Sequence, residues 1–308
     1  MQIRAGSECQ EPKQTPPQLH WPPEGDYLIS KKLGVALLIA FTLIIGVVAL
    51  LLPRVPQPLS YHDFADQRSW LGIANFGDVS SNLLFAIAGL LGLIFLWRTS
   101  ETPLFVDPRE RWPYIFVFLG LFLTAFGSSY YHLAPDNARL VWDRLPMTFA
   151  FMGLVSAMLA ERVSVRAGLV LLPVLLLIGA GSVFWWWHTE SGAGDLRFYA
   201  AVQVYAVLIL PLLLLLPPRY TRSSDFAVIF GLYVLAKILE TADRRIFLAD
   251  HQVVSGHTLK HLAAGVAGLC VLGMLRKRRP IMGSPKCSQK SRRYVARRRR
   301  WDLSRLQG

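Results

Sequence analysis

The chain has 308 residues, 53% of them hydrophobic, with a formal net charge of +13 and a mean hydropathy of +0.37. A water-soluble helical domain of that composition would need polar stripes at helical period, and most of the apolar runs here have none, which excludes an ordinary soluble protein. Cys9, Cys270 and Cys287 are scattered, which excludes a disulfide framework and a cysteine metal site.

In chain order, residues 1–30 are rich in Pro and Gln and read as a disordered tail. Leu33 to Leu52 is a run of 20 residues without a charge, long enough to cross a hydrocarbon core of ~30 Å. The following "PRVPQP" lacks a small-x-small cleavage site, so 31–54 is read as a retained helix rather than a signal peptide. Further runs cover 79–97, 113–131, 145–160, 167–187, 198–216, 225–241 and 257–275. The expected fold is therefore an all-α membrane bundle of eight transmembrane helices. The run at 145–160 is short, and 225–241 carries Lys237 and Glu240. "FWWWH" at 184–188 reads as an interfacial aromatic belt. Residues 276–308 form a basic tail with 13 Lys and Arg. Because it abuts a membrane helix, it reads as an anchor for anionic lipid headgroups rather than as a nucleic-acid element. With both termini on the cytoplasmic side, the inner segments hold 24 Lys and Arg and the outer loops 7, the direction of the positive-inside bias.

Ionisable residues in such a chain are costly to bury and mark function. Ser128 and His132 lie four apart at the end of the third run, on one helix face. Asp143, in "DRLPM", fits the N-terminal cap of the next helix, and capping alone is one reading of it. His257 and His261, also four apart, are either a metal pair or interfacial histidines. The topology brings all three elements to one side of the membrane. Three histidines with an open fourth position are the ligand set of a catalytic zinc, beside which Ser128 supplies a hydrogen-bond donor and Asp143 a general base. Asp63, Asp66, Asn75 and Asp78 precede the second helix. They are either oxygen ligands for Ca²⁺ or a solvated loop with a helix cap at Asp78. Glu240 with Lys237 reads as a buried ion pair, with Asp243 and Lys260 nearby.

The elements "GSSYYH", "WDRLPM" and "GHTLKH", in that order and preceded by Ser81 and Asn82 of "DVSSN", resemble the alkaline ceramidase family. That family belongs to a wider group of seven-helix membrane hydrolases and receptors. The resemblance runs from about Tyr61 to Leu275. It implies a seven-helix hydrolase domain over 61–275, to which 31–54 adds an N-terminal helix. It implies zinc held by His132, His257 and His261, and catalytic roles for Ser128 and Asp143. It further implies a calcium site to which Asp63, Asp66 and Asn75 correspond, with departures at Arg68, where an oxygen ligand is expected, and at Asn75, where the family has an acid. The expected activity is zinc-dependent hydrolysis of a ceramide-like N-acyl lipid to a long-chain base and a fatty acid. A lipid receptor of the same group with a structural zinc is the competing reading. A transporter would show internal repeats, which the sequence lacks.

Overall fold

The computed structural model describes residues 30–99, 104–192 and 194–281. The tail at 1–29, Cys9, Cys287 and the basic tail beyond 281 lie outside the described residues.

The described residues are all-helical, without a named strand. The helices are α1 (Lys31–Leu51), α2 (Phe76–Ser81), α3 (Leu83–Arg98), α4 (Arg111–Leu133), α5 (Asn137–Arg162), α6 (Val165–Thr189), α7 (Arg197–Leu214), α8 (Asp225–Thr241), α9 (Asp243–Ala249) and α10 (Gly256–Lys277). Six segments are long and apolar enough to cross a membrane: α1, α2 with α3, α4 with its preceding turn, α6, α7 and α10. The exposed faces agree. Ile39, Leu43, Ile44 and Leu50 of α1 and Leu177 and Ile178 of α6 are all more than half exposed, an arrangement stable in lipid and costly in water. The chain is thus a multi-pass helical membrane protein. The other two long helices fall short of that measure for different reasons. α8 has only 17 residues, whereas α5 is long but charged.

Helix α5 departs most from expectation. It starts at Asn137, eight residues ahead of the apolar run, and its cap is Asp136, which accepts from Arg139 N at 2.7 Å. Asp143 is not a cap. It lies in the second turn, facing the bundle interior. Arg139, Asp143 and Arg144 interrupt the hydropathy pattern without interrupting the helix, because Asp143 and Arg144 point inward rather than into lipid.

Short connections between neighbours make the packing antiparallel. Only three residues join α4 to α5, and α4 packs closely on α5 and α3. α10 packs on α8 and α3, α5 on α6 and α7, and α1 on α7. The approach of α4 to α5 is governed by Gly127. Pro146 has no N–H to give the Trp142 carbonyl four residues back. That carbonyl instead faces Gly127, where a Cβ would stand 1.9 Å from it. The end of α4 and the starts of α2, α5 and α10 meet at one end of the bundle. The opposite end is closed by a separate buried network, in which Arg278 donates to Tyr114 Oη at 2.9 Å and pairs with Glu161 at 3.3 Å.

Candidate metal centre

His132 lies in the last turn of α4, and His257 and His261 lie in the first two turns of α10. All three are buried, with 1%, 4% and 2% of their surface exposed. One potential ligand atom from each lies within 4.8 Å of the others, and theirs is the one such group among the described residues. His132 Nε2 and His257 Nε2 are 3.3 Å apart. Two ligands of one tetrahedral zinc at ~2.05 Å would be separated by about 3.3 Å, so this spacing is compatible with zinc.

For His261 the hydrogen bonds also define which nitrogen faces inward. Ser81 Oγ donates to the Asp78 carbonyl at 2.9 Å and lies 2.9 Å from His261 Nδ1, which is itself 3.2 Å from that carbonyl. A carbonyl only accepts, so Nδ1 carries the ring proton and Nε2 keeps its lone pair. His132 Nδ1 lies 3.9 Å from Asp78 Oδ2, and neither atom has a hydrogen-bond partner. Lys260 Nζ donates to His257 Nε2 at 3.0 Å, so a cationic group already faces the lone pair of that nitrogen. Imidazoles fixed from behind by carboxylate or carbonyl groups are the usual support of metal-binding histidines, and His261 is held in that way by the Asp78 carbonyl. The residues present fit a divalent cation.

Asp78 and Asp243 carry more of this geometry than the sequence discloses. Asp78 is fully buried in α2 rather than sited in a solvated loop. Its Oδ1 accepts from Thr258 Oγ1 at 2.8 Å, across to α10. Asp243 Oδ1 accepts from His257 N at 2.8 Å and Oδ2 from Ala65 N at 2.9 Å. His62 Nδ1 lies 2.7 Å from Tyr131 Oη and its Nε2 2.7 Å from Asn137 Oδ1, which binds the preceding loop to the α4–α5 connection.

Ser128 and Asp143 are both buried and line the same cavity as His261. Ser128 Oγ is buried and has no hydrogen-bond partner among the described residues. The cavity holds about 360 Å³ and is mostly apolar. Its lining extends from Glu240, near the site, to Phe226, at the far end of α8. At 1.5 Å per residue that distance is ~21 Å, about two thirds of a hydrocarbon core.

The acidic stretch does not assemble as an oxygen cage. Asp66 receives Arg68 Nε and Nη2, both at 2.8 Å, and this guanidinium holds the Asp66 carboxyl below the usual carboxylate range. Asp63 pairs with Arg244 at 2.9 Å. Asn75, at φ 47° where asparagine is better tolerated than most residues, donates its amide to the His132 carbonyl at 2.7 Å. Glu240 pairs with both Lys237 and Lys260, and Lys237 is half exposed, so the ion pair expected there is a partly buried triad. The aromatic belt is likewise split. Phe184, Trp185 and Trp187 are about half exposed, while Trp186 is fully buried.

The fold and the buried histidines define a multi-pass helical membrane protein with a three-histidine centre able to hold a metal ion. Comparison with protein-family models and with curated proteins finds no match to this chain.

Proposed function

We propose that this protein is a membrane zinc hydrolase of the alkaline ceramidase kind, cleaving the amide bond of ceramide-like N-acyl lipids to an amine base and a fatty acid. The observation that carries this reading is the convergence of His132, His257 and His261, with His261 at the head of an apolar cavity that Ser128 and Asp143 also line. In this reading all eight long helices cross the membrane, and 61–275 is the catalytic domain. Both termini are cytoplasmic and the centre faces the other side.

A zinc ion in this position supplies Lewis acidity, which makes water acidic enough to act as a nucleophile near neutral pH. The chain's own groups do the rest. The cavity holds an acyl chain and keeps bulk water from the amide. Asp143 takes the proton of the attacking water. Ser128 donates to the oxygen of the acyl carbon as negative charge develops there. As the C–N bond breaks, Asp143 returns the proton to the leaving amine, so the water oxygen ends on the fatty acid. The test is incubation of purified protein with a panel of N-acyl lipids, with and without a zinc chelator, followed by product analysis. Chelator-sensitive release of fatty acid is expected. No release from any lipid by zinc-loaded protein would refute the hydrolase and favour a receptor.

A further inference from the structure

The cavity contains a charged group that the proposed chemistry does not use. Arg144 follows Asp143 in α5 and lines the same cavity, with 5% of its surface exposed. Its guanidinium lies 4.3 Å from the ring centre of Trp186, 4.7 Å from that of Tyr199 and 5.4 Å from that of Tyr61. Nη2 donates to Gln57 Oε1 at 2.6 Å, and Nη1 is buried with no partner. Among the described residues no carboxylate comes within ion-pair distance of it. The other buried arginines among the described residues are treated differently: Arg278 and Arg162 both pair with Glu161. A buried guanidinium without a counter-ion is costly, and three aromatic faces and one amide offset only part of that cost.

The charge balance of the cavity points the same way. Its lining carries Arg144, Lys237 and Lys260 against Asp143 and Glu240, and Glu240 already serves both lysines. Cations exceed carboxylates by one, and Arg144 is the cation of this lining that has neither an ion-pair partner nor a use for Nη1. A planar guanidinium with a free N–H fork is matched by an oxyanion.

We infer that Arg144 is a specificity residue for an anionic group, a carboxylate or phosphate, borne on the polar part of the lipid that enters this cavity. A neutral ceramide lacks such a group; an N-acyl amino acid has one. The inference rests on the reading of the cavity as a lipid site, and its test reads binding, so that it stands apart from turnover.

The experiment uses the full chain in neutral nanodiscs. The probes are N-hexadecanoylglycine and N-hexadecanoyl-γ-aminobutyrate, which place a carboxylate at two distances from the amide, and N-hexadecanoylethanolamine, which is neutral. At least one carboxylate lipid is expected to bind ~10-fold or more tightly than the ethanolamide, the range of a charge-assisted hydrogen bond. Arg144→Gln should bring that ratio near one and leave the ethanolamide affinity within about threefold, whereas Arg144→Lys should keep part of the preference. Equal binding of all three probes by the parent protein overturns the inference and needs no variant. A preference that survives Arg144→Gln overturns it too. Dioleoylphosphatidylglycerol in the disc competing as well as the carboxylate lipid, and losing that competition in Arg144→Gln, would support the inference with phosphate as the anion; competition that survives Arg144→Gln would overturn it. Tight binding without release of the amine would leave the inference standing and count against the hydrolase.

Discussion

Replacing Gly127 by alanine tests whether the contact between α4 and α5 sets the geometry of the site. The added methyl would lie 1.9 Å from the Trp142 carbonyl oxygen, 2.7 Å from its carbon and 3.3 Å from Asp143 N. These are backbone atoms with no rotamer to yield, and Cβ contacts below about 3 Å are not tolerated, so the two helices must part by more than 1 Å. Overpacking of this kind costs ~1–3 kcal/mol, a fall of a few to ~10 °C in apparent melting temperature. Ser128 follows Gly127 and Asp143 follows Trp142, so the displacement falls on both proposed catalytic groups. A shift of that size typically costs ~10²-fold in rate. Gly181→Ala in α6 is the control, because its Cβ would meet nothing within 4 Å. Thermal unfolding in detergent and turnover of the best lipid amide provide the readouts. A Gly127→Ala protein that melts like the parent and works within about twofold of it would refute the argument that this contact holds the site together.

Asp143→Asn should fold and keep its metal yet lose ~10²–10⁴-fold in amide hydrolysis, and near-normal turnover would remove Asp143 as the base. Ser128→Ala should also retain metal and lose ~10²–10³-fold, as for one oxyanion donor. Metal analysis of the parent should find about one zinc per chain, most of it lost in His257→Ala; full retention would strike His257 from the ligand set. Because Arg68 holds both oxygens of Asp66, a calcium-selective chelator should leave melting temperature and turnover unchanged, and strict calcium dependence would overturn that view of the loop. Reporter fusions after Gly308 and within 188–197 should report opposite sides of the membrane, and a cytoplasmic signal from the 188–197 loop would invert the assigned orientation.

Hydropathy alone locates α1, α3, α4, α6, α7, α8 and α10 to within a few residues, because in lipid the outward face of a helix is itself apolar and the runs are nearly continuous. It truncates α5 for the converse reason: charges aimed at a partner inside the bundle look, in one dimension, like a loop. The histidines are legible because a spacing of four residues puts two side chains on one helix face, and alternation of the helices supplies the third. Asp78 and Asp243 are not legible, since their roles lie in hydrogen bonds to residues far along the chain. Asp78 belongs to an acidic stretch that reads equally well as solvated. Trp186 is hidden among three neighbours that do face outward, and only its stacking on Arg144 separates it from them.

Asp243 receives backbone N–H groups from two segments, Ala65 in the loop before α2 and His257 at the first turn of α10. The loop and the head of α10 therefore form a single mechanical piece, clamped by one carboxylate. An epitope tag or antibody loop inserted at 61–75 would pull on the histidine pair from outside the bilayer. Affinity reagents raised against that loop would thus act from a distance on the position of His257 and His261, without entering the cavity.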